Sequence, residues 1–212
     1  MTSAKRLFSG VSLSCRRGSH MLFQNLSFGL EAGSVLHLGG ANGTGKTSLL
    51  RMMSGLLSPI EGKIVWEDES IAENERAHAA RLSFLPVQDI ALKSSETSWD
   101  NLRFWAQLWG LRDMEVIEAM ETMGVVTLKD KLVRHLSAGQ KRRINLARTI
   151  MKKAPLWLAD EPFIALDPEG AMLFRQALHK HTEKGGVVVI ASHQSFGLQS
   201  GAYPHTLLLG AA

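Results

Sequence analysis

A glycine-rich stretch near the start of the chain combines the residue types that bind a phosphate group. Gly40 to Thr47 reads Gly-Ala-Asn-Gly-Thr-Gly-Lys-Thr, which has the spacing G-x-x-x-x-G-K-[ST]. In such a loop, backbone N–H groups converge on an anion, the lysine reaches the outer phosphates and the hydroxyl ligates Mg²⁺. The residues that we predict to contact a nucleotide here are Gly40, Ala41, Asn42, Gly43, Thr44, Gly45, Lys46, Thr47 and Ser48.

The segments on either side of this loop fit a strand that turns into a helix. Val35–Leu38 is a short apolar run typical of a buried strand, and helix-compatible residues run from Ser48 to about Leu57. This order directs the free N–H groups and the positive end of the helix at the phosphates. A glycine turn formed by chance is the alternative that the flanking segments disfavour.

Two later strands end in groups that can act on a phosphate. The apolar run Leu156–Ala159 ends in Asp160-Glu161, and Val187–Ala191 leads to His193. Open α/β sheets bind their ligands at the carboxyl ends of such strands. We therefore expect Asp160 to hold Mg²⁺ through its water shell, Glu161 to orient or deprotonate an attacking water, and His193 to hydrogen-bond the γ-phosphate. By themselves, the acidic pair is typical of a solvated turn and the histidine of a structural residue.

A second anion-binding helix start is predicted in the middle of the chain. Ser137 and Gln140 have the spacing of a capping box, so a helix should begin there. Its inner face should carry Ile144, Ala147 and Met151. Taken alone, this stretch reads as an ordinary capped helix whose basic run, Lys141 to Arg143, is a solvated face.

The bulk composition limits the class of protein. The chain has 212 residues, of which 45% are hydrophobic, and a single cysteine, Cys15, so we expect one core that does not depend on disulfides, in a reducing compartment. No apolar run approaches the roughly 18 residues that a membrane-spanning helix needs. The net charge of +4 allows attraction to nucleic acid or to an anionic membrane surface without choosing between them.

The N-terminal 30 residues are basic and contain no acidic residue before Glu31. This composition resembles an organellar transit peptide. The alternation in Leu7–Leu13 and Phe23–Phe28, however, is typical of strands, and we predict that these segments belong to the fold.

The order of these elements predicts an α/β fold. We expect a P-loop core with a mainly parallel sheet, an antiparallel β part near the N-terminus and a helical lobe inserted at about residues 89–151, in one domain of residues 1–212. Trp99, Trp105 and Trp109 fall within the lobe. Their pattern fits either core packing or a surface for a hydrophobic partner.

Together these stretches resemble the nucleotide-binding subunit of an ATP-binding-cassette (ABC) transporter over nearly the whole chain. Gln88 resembles the family's glutamine at the junction with the lobe, Leu136–Gln140 its signature sequence, and Ala165–Asp167 the loop that contacts the second subunit. The resemblance implies Glu161, His193 and Lys46 as catalytic residues. It also implies that Thr47, Gln88 and Asp160 bind Mg²⁺.

The same resemblance implies a head-to-tail dimer of two copies. ATP would lie between the phosphate loop of one copy and Ser137, Gly139 and Gln140 of the other, with Gln88 also at the nucleotide. Ala138 replaces the first glycine of the signature, and Phe163 and Ile164 stand where many relatives carry hydroxyl residues. No aromatic residue is placed to stack on the adenine, and Arg17 is our candidate for that role.

Within the superfamily, the chain is most similar to the ATP-binding subunits of the cytochrome c maturation haem exporters. The likeness rests on Asn101–Trp105, Leu108–Gly110, Leu136–Arg143, Asp160–Phe163 and His193-Gln194. It implies an energy-coupling ATPase bound to integral membrane subunits, peripheral on the cytoplasmic face of the bacterial inner membrane, with no nucleic acid partner. The alternatives are a soluble ABC-type ATPase on nucleic acid or ribosomes, and a small-molecule kinase, which would have no use for the signature stretch.

Overall fold

The computed structural model describes residues 7–87, 92–193 and 205–210. The strands are β1 (Phe8–Arg17), β2 (His20–Leu30), β3 (Val35–Gly39), β4 (Glu61–Trp66), β5 (Glu69–Ser70), β6 (Leu82–Leu85), β7 (Leu156–Asp160), β8 (Val187–Ala191) and β9 (His205–Leu208). The helices are α1 (Lys46–Met53), α2 (Glu75–Arg81), α3 (Ser98–Leu108), α4 (Asp113–Thr122), α5 (Ala138–Met151) and α6 (Pro168–Glu183).

The chain divides into two compact units. The first consists of Met1–Phe84, Ala154–Glu161 and His181–Ala212, and the second of Leu85–Lys153 and Pro162–Lys180. The predicted α/β class, with a parallel sheet, a separate antiparallel sheet and a helical part, is confirmed. The bounds that we predicted for the lobe, 89–151, and the single domain stay predictions.

A five-stranded sheet in the order β6-β7-β8-β3-β9 forms the centre of the first unit. Its central pairs are parallel, and their register places Leu38, Ala191 and Asp160 side by side. Every residue of β7 and β8 is buried, as expected for apolar strands covered on both faces. The carboxyl ends of β3, β7 and β8 therefore lie at one edge, and each is followed by a segment that the sequence assigned to phosphate chemistry.

The second sheet is antiparallel, in the order β2-β1-β4-β5. Its first hairpin turns at Gly18, whose φ of 61° suits a residue without a side chain, and Arg17 pairs with His20 at its tip. Leu13 and Phe23 belong to the apolar core of this unit. The prediction that the basic N-terminal stretch forms strands of the fold is confirmed from Phe8 onward.

Helix α1 ends four residues earlier than we predicted from the sequence. The N–H of Gly55 bonds to the carbonyl of Met52, and that of Leu56 bonds to the carbonyl of Arg51. This is a Schellman ending, which Gly55 completes with a φ of 79°. The expected continuation to Leu57 was wrong because this glycine turns the chain.

Helices dominate the second unit, and their apolar faces match the predicted spacing. Ile144, Ala147 and Met151 are buried, as predicted for the inner face of α5. The tryptophans are half-buried and each lies beside a cation: Lys129 is 4.2 Å from Trp99, Arg148 is 5.0 Å from Trp105, and Lys152 is 5.4 Å from Trp109. The rings are therefore neither fully core nor fully surface, and their buried faces pack against basic side chains.

A buried histidine gives the first unit a pH-sensitive contact. The ring of His181 stacks on that of Trp157, with centroids 3.9 Å apart and planes 10° from parallel. Burial lowers the pKa of His181 to about 4. The unfolded chain would hold this proton from about pH 6.5 downward, whereas the folded chain takes it up only near pH 4.

We predict that stability falls as the pH drops from 6.5 to 4, since the unfolded state binds more protons in that window. The substitution His181→Phe keeps a ring stacked on Trp157 but removes the titrating group, so stability should fall less steeply with falling pH. Burial also lowers the pKa of His78, so His78 should account for part of the pH dependence that remains. Urea unfolding at pH 7, 5.5 and 4.5 measures this. The exposed His20→Phe variant should keep the wild-type slope, and a His181→Phe variant with the same slope would refute the assignment.

Candidate nucleotide-binding site

The lysine of the phosphate loop is folded over the loop itself. Lys46 Nζ donates to the carbonyls of Gly40 at 2.7 Å and Ala41 at 2.8 Å, and the side chain is buried. Thr44 Oγ1 donates to the same Ala41 carbonyl at 3.0 Å. The ammonium group is thus held against two backbone carbonyls of the loop that we predict to bind phosphate.

The start of α1 is open for an anion. Gly45 precedes the helix with a φ of 103°, and no side chain caps the first turn. A Cβ atom on Gly45 would lie 3.1 Å from the ring of Phe23 and 3.2 Å from Cβ of Leu22. Both the backbone angle and this close approach favour glycine, and the contact places β2 beside the phosphate loop.

The two predicted metal ligands that the structure describes are already in contact. Thr47 Oγ1 donates to Asp160 Oδ2 at 2.7 Å, although the residues are 113 positions apart in the sequence. A hydroxyl and a carboxylate are hard oxygen ligands of the kind that Mg²⁺ binds in phosphate sites, with water and phosphate completing its octahedron. Among the described residues, no three His, Cys, Asp or Glu side chains cluster as a self-sufficient metal site.

Glu161 and His193 form a second contact at the same sheet edge. Glu161 Oε1 accepts the backbone N–H of His193 at 3.0 Å and lies 3.2 Å from its Nε2. Glu161 has a φ of 47°, which is strained for a residue with a side chain, and its N–H bonds to the carbonyl of Ala191 at 2.8 Å. This backbone turn directs the carboxylate toward the histidine at the end of β8, so the carboxylate and the imidazole lie in contact.

His37 is a residue of this edge that sequence reasoning missed. Its Nε2 lies 3.2 Å from the carbonyl of Ser192, the residue before His193. The signal in the sequence was a polar side chain inside the apolar run Val35–Leu38, which we took only as a strand. Its position on the neighbouring strand holds the segment that carries the histidine.

The second unit contains the capped helix start. Ser137 Oγ accepts the N–H of Gln140 at 3.2 Å, and Gln140 Oε1 accepts the N–H of Ser137 at 3.0 Å, so the predicted capping box is confirmed. A Cβ on Gly139 would lie 2.7 Å from the carbonyl of Ala165, which explains why a glycine stands here. Ser137, Gly139 and Gln140 line a cavity of about 410 Å³.

The basic run after the signature is not a solvated face, so that interpretation was wrong. Arg142 is only 1% exposed and Arg143 is 8% exposed. Arg143 donates to Asp167 at 3.2 Å through Nε and to Glu169 at 2.8 Å through Nη2. The hydrogen bond from Arg143 lowers the pKa of Asp167, whose carboxylate also accepts the N–H of Gly170 at the start of α6.

The predictions for three residues, Gln88, Gln194 and Arg17, stay untested. Gln88 and Gln194 lie outside the described residues. Arg17 is exposed at the tip of the first hairpin, and its proposed stacking on adenine stays a prediction.

Comparison with known proteins bears on this arrangement. The family model described as "ABC transporter" matches residues 23–164, which span the phosphate loop, the signature and the Asp160-Glu161 pair. The chain belongs to the ABC transporter family. The chain is therefore an ATPase of the ABC type, as predicted.

Relatives that match most of the chain belong to one group of ABC proteins. The chain is 42% identical to the cytochrome c biogenesis ATP-binding export protein CcmA of Paramagnetospirillum magneticum, over 90% of this chain and 89% of that protein. It is 43% identical to the protein of the same name from Albidiferax ferrireducens, over 92% and 93%. The predicted resemblance to this group of ABC proteins is confirmed.

A solved structure agrees with the fold. The putative ABC transporter ATP-binding protein from Pyrococcus furiosus matches with a TM-score of 0.80 and 26% identity, over 95% of this ABC subunit and 96% of that chain. Membership in the family implies membrane-subunit partners and dimerisation in general terms. None of the helices that the model describes is long and apolar enough to cross a membrane.

Proposed function

We propose that this ABC subunit hydrolyses ATP to drive a transporter complex in c-type cytochrome biogenesis, of the haem exporter type. The observation that carries the proposal is the sheet edge at which Thr47 meets Asp160 and Glu161 meets His193. The names of the relatives, which refer to cytochrome c biogenesis and export, support the choice of process.

Each residue at this edge has a role in the proposed reaction. The loop from Gly40 to Ser48 binds the phosphates through its N–H groups, with Lys46 neutralising the outer two. Glu161 accepts a proton from water as the water oxygen attacks the γ-phosphorus and the bond to the ADP oxygen breaks. His193 hydrogen-bonds the γ-phosphate, and Gln88 contacts the nucleotide and the metal.

Mg²⁺ is the metal that fits this site. Thr47 and Asp160 supply the hard oxygen atoms, with Gln88 as the further ligand that we infer from the family. When bound, the ion neutralises charge on the β- and γ-phosphates. The Thr47–Asp160 hydrogen bond keeps the two oxygens within reach of one ion before nucleotide arrives.

The second half of each ATP site comes from another copy of the chain. The capped N-terminus of α5 carries Ser137, Gly139 and Gln140, and its remaining N–H groups and positive dipole favour a phosphate. The residues that line the cavity in this unit do not include a phosphate-binding loop. In a head-to-tail dimer, the ATP bound by the loop of one copy contacts the start of α5 in the other.

The helical unit offers a surface for the membrane subunit. A groove of about 410 Å³ is lined in part by Leu92, Phe104 and Trp105, and Phe104 is 51% exposed. The side chain of Asn101 bonds to the backbone of Lys93 at 2.7 and 3.1 Å, which fixes one wall of the groove. An integral membrane partner that docks in this groove would bind residues that are close in sequence to Gln88. It would also keep this protein at the cytoplasmic face of the bacterial inner membrane.

The buried arginines argue against a nucleic acid partner. The net charge of +4 is the feature that favoured it. Arg142, Arg143 and Arg148 contribute three of the positive charges and are all buried, so they do not form an exposed basic surface. We therefore expect no nucleic acid partner.

The catalytic assignment predicts the behaviour of Glu161→Gln. The amide keeps the shape of the side chain but cannot take a proton, so turnover should fall by about 10²–10⁴-fold while ATP still binds. Steady-state phosphate release gives the rate, and gel filtration with ATP should show a stabilised dimer. Glu31→Gln, at an exposed position outside the site, is the matched control. Unchanged turnover in Glu161→Gln would refute the assignment.

The docking surface predicts a separate effect of Phe104→Glu. In cells that produce the whole transporter, this charge in the groove should lower the membrane-bound fraction of the subunit, because a carboxylate is costly to bury in an apolar contact. Met172→Glu, on α6 at 48% exposure, should stay membrane-bound. Both variants should retain the ATPase activity of the isolated protein. A Phe104→Glu subunit that fractionates with membranes like the wild type would contradict the proposed surface.

A further inference from the structure

Arg142 is the most deeply buried charged side chain of the basic run, and the proposed reaction does not yet use it. It lies on α5, five residues after Ser137, with 1% of its surface exposed. A guanidinium carries five N–H donors and stays protonated inside proteins, so burial is tolerated only where its donors are bonded. The partners of those donors therefore indicate what the residue holds in place.

The guanidinium joins two loops to the signature helix. Arg142 Nη1 donates to the carbonyl of Pro86 at 3.0 Å, and Nε donates to the carbonyl of Pro162 at 3.3 Å. Pro162 directly follows Glu161 in the chain, and Pro86 precedes Gln88 by two residues. A single buried side chain thus fixes backbone that directly follows Glu161 and backbone that lies two residues before Gln88, two of the groups that the proposed reaction uses.

The two acceptors suit this use. A proline has no N–H, so its carbonyl is its sole main-chain hydrogen-bonding group. The planar fork of arginine offers separate nitrogens to two such carbonyls at once. The amide of glutamine is too short to span both, and the ammonium of lysine is a single donor centre.

The segment after Pro162 is anchored from another helix as well. The ring of Phe163 packs edge-on against Phe174 of α6 at 5.4 Å, and Arg175 lies 5.2 Å from the same ring. Helix α6 therefore holds the far side of this loop. The bond from Arg142 to the carbonyl of Pro162 ties the start of the same loop to the signature helix α5.

We propose that Arg142 is a positioning residue for ATP hydrolysis, which couples the signature helix to the backbone flanking Glu161 and Gln88. This inference rests on the proposed function, since it assigns Arg142 an effect through those two residues. Arg142 holds, through its bonds to Pro86 and Pro162, backbone that adjoins residues of the chemical step. Its loss should therefore slow the chemical step and leave ATP binding by the loop intact.

The test compares Arg142→Gln and Arg142→Lys with Arg148→Gln. Arg148 lies on the same helix and is also buried, but it faces Trp105. A misplacement of the base by about 1 Å costs about 10²-fold in rate, so Arg142→Gln should lower kcat by about 10²-fold with KM for ATP unchanged. Arg142→Lys should lie between this variant and the wild type, and Arg148→Gln should keep the wild-type kcat.

The proposal is overturned if Arg142→Gln stays within about threefold of the wild-type kcat, if KM rises as kcat falls, or if Arg148→Gln loses as much. If Arg142→Gln does not fold, Arg142→Lys decides by the same criteria. Failure of both to fold, judged by circular dichroism, makes the role structural and overturns the proposal.

A double variant distinguishes a failure of the positioning role of Arg142 from a failure of the proposed function. Combined with Glu161→Gln, the Arg142→Gln change should cost little further rate in single-turnover assays, because both act on one step. A full additional loss contradicts a role through Glu161. Wild-type turnover in Glu161→Gln alone refutes the proposed function itself, whereas an inactive Glu161→Gln with a normal Arg142→Gln refutes only the positioning role.

Discussion

The hydrogen bond between Thr47 and Asp160 shows what the site depends on, which is the parallel register of three buried strands. Residues 113 positions apart meet at 2.7 Å because β3, β8 and β7 are neighbours and end at one level. The same register places the N–H of Glu161 on the carbonyl of Ala191 at 2.8 Å. A slip of one residue in β7 would turn Asp160 to the other face and dissolve both contacts.

The charged side chains of the signature helix α5 bind neighbouring loops. Its N-terminus is capped by Ser137 and Gln140, and the arginines that follow are buried and bonded to loops. Arg143 fixes Asp167, which also caps α6, and Arg142 fixes Pro86 and Pro162. The helix start and the loops around it are therefore tied together.

Local spacing made much of this predictable, because each motif encodes its own geometry. The phosphate loop needs its glycines and Lys46 within eight residues, and the capping box needs Ser137 and Gln140 three apart. Contacts between distant segments carry no such signal. The burial of Arg142, the bond from His37 to Ser192 and the left-handed backbone of Glu161 depend on how the strands and loops pack. The end of α1 was missed for a local reason, since Gly55 was not recognised as a helix terminator.

The central claim is that each ATP site is completed by a second copy of the chain. Disulfide trapping tests it directly, in a Cys15→Ser background so that no native thiol competes. Chains carrying Asn42→Cys are mixed with chains carrying Ala138→Cys, both with Glu161→Gln to prevent turnover, and oxidised with and without ATP. The account predicts a cross-linked heterodimer that forms with ATP and is absent without it. No cross-link with ATP, or an equal yield without nucleotide, would contradict it.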